Sequence, residues 1–353
     1  MNFKKKISES IISWYLINKR DLPWRKTKNS YKIWVSEIIL QQTKISQGIN
    51  YYNKFISKFP NLESLAKSNN SEILKVWQGL GYYNRALNML KNAKILHNKK
   101  REFPKSYNEL IKLKGVGEYT ASAISSICNN EKKAVLDGNV YRVLSRVFNI
   151  SKPINKLSSQ KLFKQKAEDL LPEANFGDYN QAIMDFGSTQ CKPTNPKCNT
   201  CVIIKYCKAY EFQNIKSRPR KIKNQKKIKI RHLNYLFIYD ENYIYLQKRR
   251  NLDIWRNLYE LPLIETNNEL EEKLLKLSIQ NKLKITKFNL PLLLKKIIHK
   301  LTHQKLKICF WKLDIKNAKL LNNKHFIKAH KTELNKYPFP KPISKYLDEH
   351  IIK

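Results

Sequence analysis

Four cysteines, Cys191, Cys198, Cys201 and Cys207, form a C-x6-C-x2-C-x5-C run that constrains this chain more than any other feature. Only Cys128 and Cys309 lie outside it. Thiolates this dense are poised to share one inorganic centre. A cubane iron–sulfur cluster takes four cysteine ligands, and so does a structural zinc. The usual zinc signature spaces two close pairs across a long loop, whereas here one short run holds all four. The spacing favours a 4Fe-4S cluster over zinc. A disulfide staple is the weaker alternative, because the chain has 353 residues and is otherwise poor in cysteine.

A length of 353 residues suggests two domains of ordinary size. Lys and Arg number 69 against 28 Asp and Glu, a formal charge of +41, which points to a polyanionic partner and most simply to nucleic acid. Lys, Asn and Ile are abundant everywhere, loops included, so part of this charge is compositional drift. No window approaches the apolar length a bilayer needs. Ile7, Ile11, Trp14 and Tyr15 recur at helical spacing behind Lys4–Lys6, which reads as an amphipathic helix of the fold and not a targeting signal. A cytoplasmic protein is expected, nucleoid-associated if bacterial.

From residue 1 to 211 the pattern is helical. Tyr31, Trp34, Val35 and Ile38 give one apolar face, and 71–77 and 86–96 give others. Glycines fall at the joints. Residues 212–230 read as a basic, extended linker, and no acidic residue occurs from Phe212 to Tyr239. The period then changes. Leu233, Tyr235, Phe237 and Tyr239 alternate, Asp240-Glu241-Asn242 supplies a turn, and 243–246 resumes, so a β-hairpin is expected. Leu306, Ile308 and Phe310 alternate again, while 269–277 and 343–351 look helical. Residues 231–353 therefore read as an α+β domain.

Three motifs carry chemistry. In L-x-x-L-K-G-V-G-E-Y-T-A (110–121), Ser106 and Glu109 form an expected capping box. Gly115-Val116-Gly117 then makes a hairpin into a helix whose N-terminal amides can hold a phosphate. In L-D-G-N-V (136–140), Asp137 and Asn139 sit at the mouth of the next helix, where they are also ordinary caps. In the motif 31–43, if it is helical, the neighbours of Glu37 three and four places away are Ile33, Trp34, Leu40 and Gln41. Desolvation there raises a carboxyl pKa and makes it a candidate general acid, although a surface Glu is the commoner case.

Together with S-E-I-I-L-Q-Q-T (36–43) and G-L-G-Y-Y-N-R-A (79–86), these motifs resemble the helix–hairpin–helix DNA glycosylase superfamily. Within it they are similar to the MutY-type adenine DNA glycosylases of the iron–sulfur class. The resemblance implies a mostly α catalytic half followed by a smaller α+β, Nudix-like domain. It implies excision of adenine mispaired with 8-oxoguanine or guanine in double-stranded DNA, after base flipping. Carried onto this chain, Glu37 protonates the adenine and Asp137 stabilises the sugar cation. Tyr119 and Asn139 orient them, and Gln42 and Tyr82 wedge into the stack. The cysteine run holds the 4Fe-4S cluster, and Gly115, Val116 and Gly117 meet DNA. Related endonuclease III-type enzymes carry a Lys inside the hairpin motif. Position 119 here is Tyr, so a monofunctional enzyme without lyase activity is expected.

The second half matches a W-x-x-L-W/Y-E-L-P signature at 255–262 and lacks a Glu-rich Nudix box, so no pyrophosphatase activity is expected. The lesion-reading F-S-H of the family corresponds to Leu301-Thr302-His303, where Thr302 keeps a hydroxyl and the Phe is lost. A plain loop is the even alternative for Thr302 and His303. The resemblance implies a monomer.

Overall fold

The computed structural model describes residues 3–222, 228–239, 242–250, 252–283, 285, 288–315 and 326–351. Packing divides the chain into two compact units. One comprises Met1–Lys67 and Lys91–Asn224, the other Ser68–Leu90 and Gln225–Lys353.

The first unit is helical. It holds α1 (Phe3–Asn18), α2 (Ser30–Leu40), α3 (Ile45–Lys58) and α4 (Leu62–Ala66). The chain passes through α5 (Asn70–Val76) and the start of α6 (Asn84–Asn98) in the other unit, and returns. It continues as α7 (Tyr107–Leu110), α8 (Glu118–Asn129), α9 (Gly138–Val147), α10 (Leu157–Asp169), α11 (Phe176–Asp185) and α12 (Lys208–Glu211). The core follows the expected apolar spacing: Ile7, Ile11, Trp14 and Tyr15 of α1 pack with Val140, Val143, Leu144 and Val147 of α9. α11 lies against both α1 and α8. It runs directly into a π-helical turn, Phe186–Gln190, a rare geometry that concentrates at functional sites.

The second unit contains β1 (Lys229–Phe237), β2 (Tyr243–Lys248), β3 (Tyr259–Glu260), β4 (Leu263–Thr266), α13 (Glu272–Leu283), β5 (Leu292–Lys300), β6 (Gln304–Lys312), β7 (Ile327–His330) and α14 (Lys341–His350). One sheet has the order β4-β1-β6-β5 and the other β3-β2-β7. β1 and β6 are parallel, with Leu233 opposite Ile308 and Tyr235 opposite Phe310. Side chains alternate across a pleated strand, so the two faces of this sheet serve two cores. Leu233, Tyr235, Leu306, Ile308 and Phe310 pack on Ile343, Tyr346 and Leu347 of α14. Leu236, Cys309 and Trp311 pack on Leu275 and Ile279 of α13.

Two sequence expectations are corrected. β1 and β2 do not form a hairpin ladder: they belong to different sheets, and Tyr239 with Ile244 is a single antiparallel bridge between them. The alternating pattern was real, but pairing is a choice of partner that each strand makes with chain far away in sequence. Asp240 and Glu241 of the expected turn lie outside the described residues. Ser106 makes no side-chain cap; its hydroxyl donates instead to the Glu109 carboxylate at 2.7 Å. Within the segment 212–230, the backbone of Ile222 exchanges hydrogen bonds with the side chain of Asn155 at 2.8 and 3.0 Å.

Candidate active site

α2 starts at Asn29, whose side chain accepts from the Lys32 amide at 3.0 Å. Its buried face includes Ile33, Trp34 and Ile38, and Glu37 lies among them at 7% exposure. Burial pushes the Glu37 carboxyl up from 4.5 to about 7; Asp137 pushes the same way, against a hydrogen bond from Tyr119 and the charge of Arg25. A carboxyl in this state shares its population between the protonated and ionised forms near neutral pH, so a proton is available for it to give up.

Tyr119 arrives from the first turn of α8. Its phenol is held well above its usual range, by burial first and then by Glu37 and Asp137, so it remains a neutral donor. The Met184 sulfur lies 3.3 Å from its hydroxyl. Asp137 is the N-cap of α9. One carboxylate oxygen accepts from the amides of Asn139 (2.8 Å) and Val140 (2.7 Å), and the other from the Asn139 side chain (2.7 Å). Burial raises its pKa while those three hydrogen bonds pull it back. The ordinary cap and the candidate reactive carboxylate are therefore one group. Glu37, Tyr119, Asp137 and Asn139 line one cavity of about 190 Å³.

The same cavity has a wall that sequence reasoning missed. Trp24, Arg20, Arg25 and Gln181 line it. The signal, had it been weighed, was the R-D-L-P-W-R stretch at 20–25, two cations five places apart around a turn (Pro23–Arg25 is a 3-10 turn).

Behind Asp137, α9 carries two arginines toward the cysteines. Arg142 donates to Asn139 Oδ1 (2.9 Å), to the carbonyl of Cys191 (2.8 Å) and to the carbonyl of Gly187. Arg146 donates to Cys191 Sγ at 3.2 Å and to the carbonyls of Lys192 (2.7 Å) and Pro193 (3.1 Å). Cys191, Cys198, Cys201 and Cys207 are free and line one cavity with Val143, Arg146 and Phe186. Burial pushes the Cys201 thiol up to about 12, and the three other thiols push it the same way. Among the described residues no three metal-binding side chains close on a single-ion geometry.

Gly115 has φ +84° and lets the hairpin reverse; Gly117 then caps α8 in an extended conformation, with open space where a side chain would stand. Val116 is buried between them. Gln42 and Tyr82 both occupy the left-handed region, at φ 59° and 50°, which is strained for residues with a side chain and concentrates at functional positions. In the second unit Tyr82 is half exposed, and its hydroxyl lies 3.0 Å from the Thr302 hydroxyl. The Arg85 guanidinium covers the rings of both Trp77 and Tyr82. Thr302 and His303 are exposed at the turn between β5 and β6. Glu260, from the W-x-x-L-Y-E-L-P stretch, is buried and accepts from Arg249 and from the Tyr235 hydroxyl at 2.9 Å.

Among known proteins, the family described as HhH-GPD superfamily base excision DNA repair protein matches residues 35–172, and the NUDIX domain family matches 234–349. The chain is 39% identical over 344 residues to the adenine DNA glycosylase of Buchnera aphidicola subsp. Baizongia pistaciae, covering 96% of this chain and 95% of that protein. It is 36% identical over 299 residues to the adenine DNA glycosylase of Buchnera aphidicola subsp. Schizaphis graminum, covering 84% of each. Among solved structures it is similar to a thermostable thymine-DNA glycosylase, with 32% identity and a TM-score of 0.55, over 60% of this chain and 97% of that one.

Proposed function

We propose that this chain, which belongs to the adenine DNA glycosylases of base excision repair, removes adenine mispaired with 8-oxoguanine or guanine and leaves the strand intact. The observation that carries this reading is a buried Glu37, its pKa raised toward neutrality, sharing one cavity with the hydrogen-bonded carboxyl of Asp137. Glu37 gives its proton to a ring nitrogen of the flipped adenine. The N-glycosidic electron pair leaves with the base, and an oxocarbenium ion develops on the sugar. Asp137 faces that charge and stabilises it until water adds at C1′ and passes its proton to the Glu37 carboxylate left by the first step. Two carboxyl groups held in opposite protonation states are the same device that hydrolyses glycosides. Asn139 holds Asp137 by its side-chain amide, and Tyr119 holds Glu37. Position 119 supplies a phenol and no amine, so no Schiff base forms there and the strand is not cut.

Cys191, Cys198, Cys201 and Cys207 would hold a 4Fe-4S cluster, which would supply a four-point iron–thiolate cross-link of the segment Cys191–Cys207. Lys192, Lys197, Lys205 and Lys208 on this loop, with the amides after Gly117, meet phosphates of double-stranded DNA. Gln42 and Tyr82 fill the stack, their side chains already fixed by a strained backbone. Thr302, hydrogen-bonded to Tyr82, reads the 8-oxoguanine strand together with His303. Residues 1–211 act as the glycosylase domain and 231–353 as the lesion reader, joined by 212–230, in a monomer working in the cytoplasm.

The test is single-turnover excision from three duplexes: adenine opposite 8-oxoguanine, adenine opposite guanine, and thymine opposite guanine. Breaks only after alkali, fastest with 8-oxoguanine, are expected. Glu37→Gln and Asp137→Asn are each expected to reduce the rate at least a thousandfold while still binding duplex. Turnover by both variants would overturn the site, and cleavage without alkali would overturn monofunctional chemistry.

A further inference from the structure

We propose that Asp185 is a positioning residue, a buried carboxylate that holds Arg20 and Arg25 together as one charge-compensated wall of the base cavity. Asp185 ends α11 and is fully buried. Its carboxylate accepts from the backbone amide of Arg20 (3.3 Å), from Arg20 Nε (2.9 Å) and Arg20 Nη2, and from both terminal nitrogens of Arg25, one of them at 2.6 Å. Burial works against its charge, but the hydrogen bonds from the two guanidiniums outweigh it and hold the carboxyl below its usual range. Two cations 160 and 165 residues distant in sequence thus meet on one anion. Like charges at this separation repel, and an uncompensated buried charge is strongly destabilising. Without Asp185 the two guanidiniums have no common anchor.

Both arginines also line the cavity that holds Glu37. The groups acting on Glu37 are the Tyr119 hydroxyl of α8, the Asp137 carboxylate before α9 and the Arg25 guanidinium of the 3-10 turn. Cys128, at the far end of α8, also feels the Glu37 charge. Asp185 in turn faces Arg20, Arg25 and the Tyr15 hydroxyl of α1. Arg20, Asp185 and Arg25 sum to one positive charge. Neutralising Asp185 leaves two, and the added field favours the ionised form of Glu37, which cannot donate. The clamp therefore keeps Arg25 in place as a wall without letting its charge strip the proton from the acid. This inference rests on Glu37 being the proton donor.

The experiment is the pH profile of single-turnover adenine excision by the cluster-loaded full chain. The rate falls as pH rises through the Glu37 pKa. Asp185→Asn is expected to move that limb down by about one unit, and Arg25→Gln to move it up, while Asp185→Glu restores the parent profile. Above the midpoint a one-unit displacement is about a tenfold loss of rate. A role that is only structural would lower the rate by one factor at every pH, and that outcome, or displacement of both variants in the same direction, overturns the proposal. Should Asp185→Asn fail to fold by circular dichroism, Arg25→Gln decides alone: an upward limb supports the clamp and an unmoved limb rejects it. Glu37→Gln, run alongside, separates the two failures. If it keeps the limb, the acid lies elsewhere and the functional reading fails together with this inference; if it loses the limb while Asp185→Asn leaves the limb unmoved, the clamp alone is rejected.

Discussion

Glu37 shows how one side chain can be built at the expense of stability. Its pKa rises from 4.5 to about 7 on folding. A group raised in this way favours the fold below the unfolded pKa, and that contribution is lost as pH climbs through the folded value. At pH 8 the folded chain must hold a buried carboxylate, at a cost of up to about 3 kcal/mol at roughly 1.4 kcal/mol per unit. Glu37→Gln is accordingly expected to raise the melting temperature, by more at pH 8 than at pH 5; an equal gain at both would mean Glu37 is not the strained group. Asp137→Asn is the contrasting case. Asn caps helices about as well as Asp, so this change is expected to alter stability by less than about 1 kcal/mol while excision is lost. A melting temperature several degrees lower would show that the carboxylate is needed for the cap itself.

At the level of elements, α9 does two jobs with its two ends. Asp137 and Asn139 stand at its start, and Arg142 and Arg146, one and two turns on, tie it to Cys191. The π-helical turn after α11 makes this contact possible. Gly187 sits so close to α9 that an added Cβ would fall 2.7 Å from Asn139 Cβ and 3.0 Å from its carbonyl oxygen. These are not flexible ends, so the helix start itself would have to shift. Gly187→Ala is therefore expected to lower single-turnover excision about a hundredfold, because displacement by 1 Å at a reacting centre costs on that order, with duplex binding within about threefold of the parent. Parent-like turnover would mean that Asn139 is not held by this packing. The elements were mostly legible in the sequence, since apolar spacing marks helices such as α1 and α9. The β1–β2 pairing was not legible, because alternation says which face a strand buries and not which strand lies beside it.

Across the whole molecule the formal charge is +41. Some exposed lysines are paired with acids, such as Lys67 with Glu63 and Lys336 with Glu333, and the net charge is the excess of cations left after all such pairs cancel. Binding to duplex should weaken with salt at about 0.9 log unit per phosphate contact. A slope of about −5 to −10 is expected, far less than the net charge would give if every lysine met a phosphate. A slope near zero would remove the electrostatic footprint from the binding, and one far steeper would mean that the drifted lysines take part. The described residues include no helix long and apolar enough to cross a membrane.

The chain by itself determined its family, its helical first half and the candidates for its reactive groups, because these are local matters. Glycine spacing makes a hairpin, a cap residue starts a helix, and four close cysteines mark a candidate centre. Tertiary structure alone decided what those groups can do. It buried Glu37 and brought Tyr119 and Asp137 to the same cavity, and so raised the Glu37 pKa toward neutrality. It also joined Arg20 and Arg25 to Asp185 across 160 residues or more. Desolvation and charge pairing depend on distance in space, and neither leaves a period or a spacing in the sequence from which it can be read.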